Sequence, residues 1–166
     1  MDENKKLNGI AEIVIDDGSV EVPIKNKRGD VIGVFFFRPT DIGIIERYNK
    51  IVGTFDEIVA PLESVNIQAD GTAEEHDAAA QAALKEAEKR LYDACDFMFG
   101  GNMSEAFFGK MHPFSPVGGV FYCEKAIEAV GRYISAQFTR ETAKIANRVN
   151  RYTHGYRTGK HKGGRA

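Results

Sequence analysis

Two cysteines, four histidines and a scatter of acid pairs are the side chains here that could do covalent or acid–base chemistry. Cys95 and Cys123 fall on separate predicted helices without CxxC spacing, which predicts buried, reduced thiols rather than a redox or metal pair. Asp93 and Asp96 share a helix face, as do Glu86 and Arg90. Paired carboxylates work as acid and base when their surroundings push their pKa values apart, but these lie on the wet side of an amphipathic helix and predict a solvated face. His76, His112, His154 and His161 sit in a charged helix start, a loop and a basic tail, with no nucleophile motif beside them; His112-Pro113 predicts a turn. No His/Cys/Asp/Glu group has metal-ligand spacing, and Lys160 and Lys162 oppose a cation at His161. "GYRTGK" (155–160) resembles a shortened P-loop but lacks one spacer residue, the following Ser or Thr, and the strand and helix such a loop joins. "FGGNMSE" (99–105) puts glycines before a helix start, where an anion could sit; a helix stop followed by a capped start accounts for it equally. Asn102-Met103-Ser104 matches a glycosylation acceptor, which matters only in a secreted chain. The sequence predicts no enzyme, no metal and no cofactor.

What stands out is softer. "DFMFGGNMSEAFFGKMHPFSP" (96–116) holds five phenylalanines and three methionines, yet glycines and prolines punctuate it like a connector. Two readings remain open. Phe97, Phe99, Phe107 and Phe108 could close a packed helical corner, or the stretch could form a partner groove, since Met and Phe adapt to varied apolar ligands.

These residues need elements to place them. The 166 residues, 43% hydrophobic and 28% charged, predict one globular domain with its own core and exclude a wholly disordered chain. "MDENKKLNG" has no apolar segment behind its charges, and no apolar run approaches the roughly 20 residues that cross a bilayer; a cytoplasmic protein is expected. Charge is lopsided. Seven of the 22 basic residues follow Glu141, the last acid, so residues 1–141 carry −9 and the remainder +7. Such an end can meet nucleic acid, or neutralise the acidic body of its own molecule or a neighbour. No recognised nucleic-acid-reading module accompanies it.

The N-terminal pattern predicts three antiparallel strands, "IAEIVI" (10–15), "VEVPI" (20–24) and "VIGVFFF" (31–37), joined at Asp17-Gly18 and "NKRGD" (26–30). Thr40 or Asp41 can cap a helix whose apolar stripe runs from Ile44 to Leu62, with Gly43, Gly53 and Pro61 weakening it. A loop at 66–71 and a capping box of Thr72 and Glu75 precede a helix ending at Gly100-Gly101, with Leu84, Ala87, Leu91, Ala94 and Met98 at spacings of three and four. A short helix capped by Asn102 follows. A last helix starts near Pro116 or after Gly119, striped by Cys123, Ile127, Val130, Ile134, Phe138, Ile145, Val149 and Tyr152, with a hinge expected near Gly131 or Thr139. Sheet first and helices after is an α+β order. The expected organisation is a β-element at 1–39, a helical domain at 40–153 and a disordered basic tail at 154–166.

"RLYDACDFMFGGNMSEAFFG" (90–109) resembles a segment of the tail assembly chaperones of long-tailed phages and prophages of Gram-positive bacteria. In that family a helix ends in a D-x-h-F-G phrase, followed by small and acidic residues and a second F-G. Here these are Asp96 to Gly100, Gly101 to Glu105, and Phe108-Gly109. "FFFRPTDIGIIERYNKI" is similar to the family's entry into its first helix, and the layout matches over roughly 30–140. The basic "YRTGKHKGGRA" is a departure. The resemblance implies a non-enzymatic chaperone that binds the hydrophobic tape measure protein and promotes tail tube assembly, acts in the host cytoplasm and is absent from the mature particle. It also implies a shorter product, with a frameshifted longer form contacting the tail tube protein. The alternatives are a structural tail or head-completion protein and a nucleic-acid-binding adaptor.

On this reading the client contact is expected at Phe97, Met98, Phe99, Phe107 and Phe108, with Ile45, Tyr48, Val52 and Phe55 of the first helix. Self-association into a homo-oligomer is expected through the strands, at Val20, Val22, Ile24, Val34 and Phe36, because an apolar sheet seeks a partner edge.

Overall fold

The computed structural model describes residues 11–64 and 78–163. It has an α+β layout: a small antiparallel sheet near the N-terminus followed by helices. Strand β1 (Val20–Lys25) pairs with β2 (Val31–Phe37), Val20 opposite Phe37 and Val22 opposite Phe35, with a bulge at Ile24/Lys25. The connecting loop is organised by Asn26, whose Oδ1 accepts the amides of Arg28 (2.9 Å) and Asp30 (3.0 Å), and by Gly29 at φ +88.

The sheet has two strands, not three. The expected hairpin turn at Asp17-Gly18 does not form: residues 11–19 carry no turn or bend, although Gly18 sits at φ +75 with its amide bonded to Asp16 Oδ1. Residues 11–15 are unpaired, and Ile13, Val14 and Ile15 are almost fully exposed. The reason lies at the outer edge of β1. Val34 and Phe36 turn their backbone groups away from β1, so their partners Pro23 and Glu21 also face outward. A third strand would meet Pro23 there, where no amide is available.

Helix α1 (Gly43–Val52) opens on Asp41, whose Oδ1 accepts the Gly43 amide (2.9 Å). The single long helix expected here is interrupted: Gly53 and Thr54 end α1, α2 spans Phe55–Val59, and a 3₁₀ turn at Ala60–Ser64 takes up Pro61. The expected loop at 66–71 and the Thr72–Glu75 cap lie outside the described residues. Helix α3 (Ala78–Phe99) buries Ala87, Leu91, Ala94, Cys95, Met98 and Phe99. Gly100, at φ +63, stops it, and α4 (Met103–Phe108) follows at once.

A two-residue hairpin, β3 (Pro116–Val117) with β4 (Val120–Phe121), turns on Gly118 and Gly119 at φ +62 and +83, a pairing suited to a tight hairpin. It leads into α5 (Tyr122–Gly163), which is unbroken at Gly131 and Thr139 and continues helically through 154–163, where an irregular tail was expected. Its 42 residues span about 63 Å.

One hydrophobic core joins the layers. Phe35 and Phe37 stack at 4.0 Å on the inner sheet face, Phe107 meets Phe35 edge-on at 5.7 Å, and Phe108 packs between Tyr92 and Tyr122. Cys123, Ala126, Val130 and Ile134 of α5 close it from the other side.

Candidate binding surface

Among the described residues, the titratable side chains singled out by the sequence are built into the fold; His76 and the side chains of His154 and His161 lie outside the description. Cys95 and Cys123 are free and fully buried. Burial raises both thiols, Cys123 to about 12, so neither is a thiolate near neutrality. Asp96 is committed to structure: Oδ1 accepts the Ser104 amide (2.8 Å) and Oδ2 the Ser104 hydroxyl (2.6 Å), while Asp93 points to solvent. His112 accepts the Phe114 amide at Nδ1 (3.2 Å) and holds the expected turn, with Nε2 facing Glu88 at 3.0 Å. Among the described residues no group of three His, Cys, Asp or Glu is placed to hold a metal. The "GYRTGK" backbone lies within α5, not between a strand and a helix.

The phenylalanine-rich joint resolves as a corner of the fold. Met98, Phe99, Phe107 and Phe108 are all buried, so they leave the expected client contact; of that group only Phe97 is open, at 53%. Each conspicuous residue of the phrase has a local task. Asp96 caps α4 through Ser104, and Gly100 takes the left-handed turn. A Cβ on Gly101 would run into the Phe36 carbonyl, and one on Gly33 would run into that of Ala106, so α4 lies directly on β2. Asn102 bonds the free edge of β2 as a neighbouring strand would: its Oδ1 accepts the Phe36 amide (2.8 Å) and its Nδ2 donates to the Val34 carbonyl (3.0 Å).

That bond also revises the expected self-association surface. With β2 capped by Asn102 and β1 interrupted by Pro23, both sheet edges are blunted. Val20, Val22 and Ile24 face inward and pack on the core, whereas Val34 and Phe36 belong to the opposite face. The five residues do not make one surface.

Helix α1 remains. Its inner line, Ile44 with Ile51, is covered, and Arg47 ties it to the corner: Nη2 donates to Asp41 Oδ2 (3.0 Å) and Nε to the Met98 carbonyl (2.9 Å). Arg47, followed by the Gly43 amide, holds the Asp41 carboxyl below its ordinary range. The adjoining apolar line is open: Ile45 is 52% exposed, Tyr48 40% and Val52 54%, with Ile42 beyond. Nearby, Lys50 Nζ sits 5.9 Å over the Phe97 ring. The line descends into a groove of about 400 Å³ between α1–α2 and α5, floored by Val52, Phe55, Met98 and Ile127 and edged by Asp56, Glu124 and Glu128. Four of the expected contact residues, Ile45, Tyr48, Val52 and half-buried Phe55, are thus brought together, with Phe97 adjoining. The acidic edge was missed, because Glu124 and Glu128 are remote in sequence from α1 and only the fold unites them.

No helix among the described residues is long and apolar enough to cross a membrane. No family model, no curated protein and no solved structure matches the chain.

Proposed function

We propose that this protein is a non-enzymatic assembly chaperone that shelters an apolar helical segment of another chain against α1 and the α1–α5 groove. The observation that carries the reading is the open line Ile45–Tyr48–Val52 running into an apolar floor with an acidic rim. Helix-in-groove recognition uses anchors at this spacing, and the exposed side chains of Ile45, Tyr48 and Val52 supply them. The resemblance at 90–109 supplies the client's identity: the tape measure protein of a long-tailed phage. In that setting the protein works in the host cytoplasm, assists assembly of the tail tube protein and is absent from the finished particle.

Co-expression with a helical fragment of the tape measure protein tests this. Wild type keeps the fragment soluble, and Tyr48→Asp/Val52→Asp, at exposed positions, stays folded but loses it. A folded double variant that still holds the fragment in solution contradicts the proposal.

A further inference from the structure

We propose that the segment this groove takes is a basic amphipathic helix, with Lys or Arg along both flanks of its apolar stripe. The inference rests on the reading above and adds the chemistry of the client. The groove carries acid on both walls. Asp56 stands on the α2 side, while Glu124 and Glu128, one turn apart on α5, bracket Ile127 on the other. All three carboxylates are exposed, and no Lys or Arg is among the residues that line the groove.

The fold does not use up this charge. The Phe121 amide donates to Glu124 Oε2 (2.7 Å), which leaves the carboxylate uncancelled. Glu128 meets Arg132 at 2.7 Å, but both side chains are 69% exposed, and an exposed pair one turn apart is held weakly. The neighbouring cations are turned elsewhere: Lys125 Nζ lies beside Gly118, and Lys50 sits over the Phe97 ring. Carboxylates around an apolar floor focus a negative potential into the cleft. A helix resting its stripe on that floor presents one flank to Asp56 and the other to Glu124 and Glu128. Cations three or four residues apart on the second flank reach both glutamates. Acidic flanks would instead meet like charge on both sides, so the floor supplies adhesion and the rim supplies selection.

Fluorescence anisotropy on the full chain is the test, with three helical peptides about five turns long that share one leucine stripe and carry Lys, Gln or Glu on both flanks. The Lys peptide binds about tenfold or more tighter than the Gln peptide, and the Glu peptide binds most weakly. The preference shrinks as salt rises. Asp56→Lys/Glu128→Lys, at two exposed positions, reverses the order in favour of the Glu peptide. Equal affinity for all three, lost on Tyr48→Asp/Val52→Asp, overturns this inference while the groove reading stands. So does a preference that salt leaves unchanged, or one that survives the Asp56/Glu128 change. Binding of none of the peptides overturns the groove reading as well, as does a wild-type dimer in sedimentation that none of them dissociates.

Discussion

At the scale of single residues, the most consequential side chains are small. Gly33 and Gly101 let α4 and its entry touch the β2 backbone, and Asn102 then satisfies the strand edge. Gly33→Ala should cost about 3 kcal/mol, because the intruding methyl meets backbone that cannot swing aside; Asn102→Ala should cost about 1 kcal/mol, since water replaces part of what it gives. Urea midpoints measure both. Asp17 carries a pH signature. Hydrogen bonds from the Ser19 side chain and amide, and then Arg38, hold its carboxyl at about 2 against an ordinary 3.8. A depressed carboxyl stabilises the fold fully above its unfolded pKa, and that contribution disappears as pH falls through the folded value. The stability difference between wild type and Asp17→Asn should therefore be constant near neutrality and shrink between 3.8 and about 2. The thiols give a third readout: with both buried and raised, Ellman's reagent should label neither Cys95 nor Cys123 until the protein unfolds.

At the scale of elements, periodicity was a sound guide where a helix had one covered face and a weaker one where it had two. The stripe of α3 lies buried as its spacing predicts, and the apolar line of α1 was visible as a broad band. What the band could not reveal is that only Ile44 and Ile51 are covered while Ile45, Tyr48 and Val52 stay open; that depends on where α3 and α5 lie. Turn chemistry was likewise legible at Gly29 and Gly100, whereas Gly18 takes its positive φ without making the hairpin turn. The third strand failed because a turn signal is local, whereas strand pairing needs an edge with amides, and Pro23 withholds one. Of the two readings left open for the phenylalanine-rich joint, the packed corner holds for Phe99, Phe107 and Phe108 and not for exposed Phe97, a choice composition could not make because it records how greasy a stretch is, not which way it points. Phe107 and Phe108 both turn inward, to different rings of one core. Phe107→Ala should accordingly lose about 3–5 kcal/mol of stability, whereas Ile45→Asp should leave the thermal midpoint nearly unchanged.

For the molecule as a whole, charge and shape divide the labour. An acidic body holds the core and the open groove, and a long basic helix leaves it. A helical fragment of the tape measure protein is the client on which this reading is tested. The central claim is that the client lies on α1 and the groove and leaves the double-phenylalanine corner untouched. Hydrogen exchange read by mass spectrometry, with and without that fragment, tests it most directly. The account predicts slower exchange across 43–59 and no change across 103–108; protection confined to 103–108, or none on α1, would contradict it.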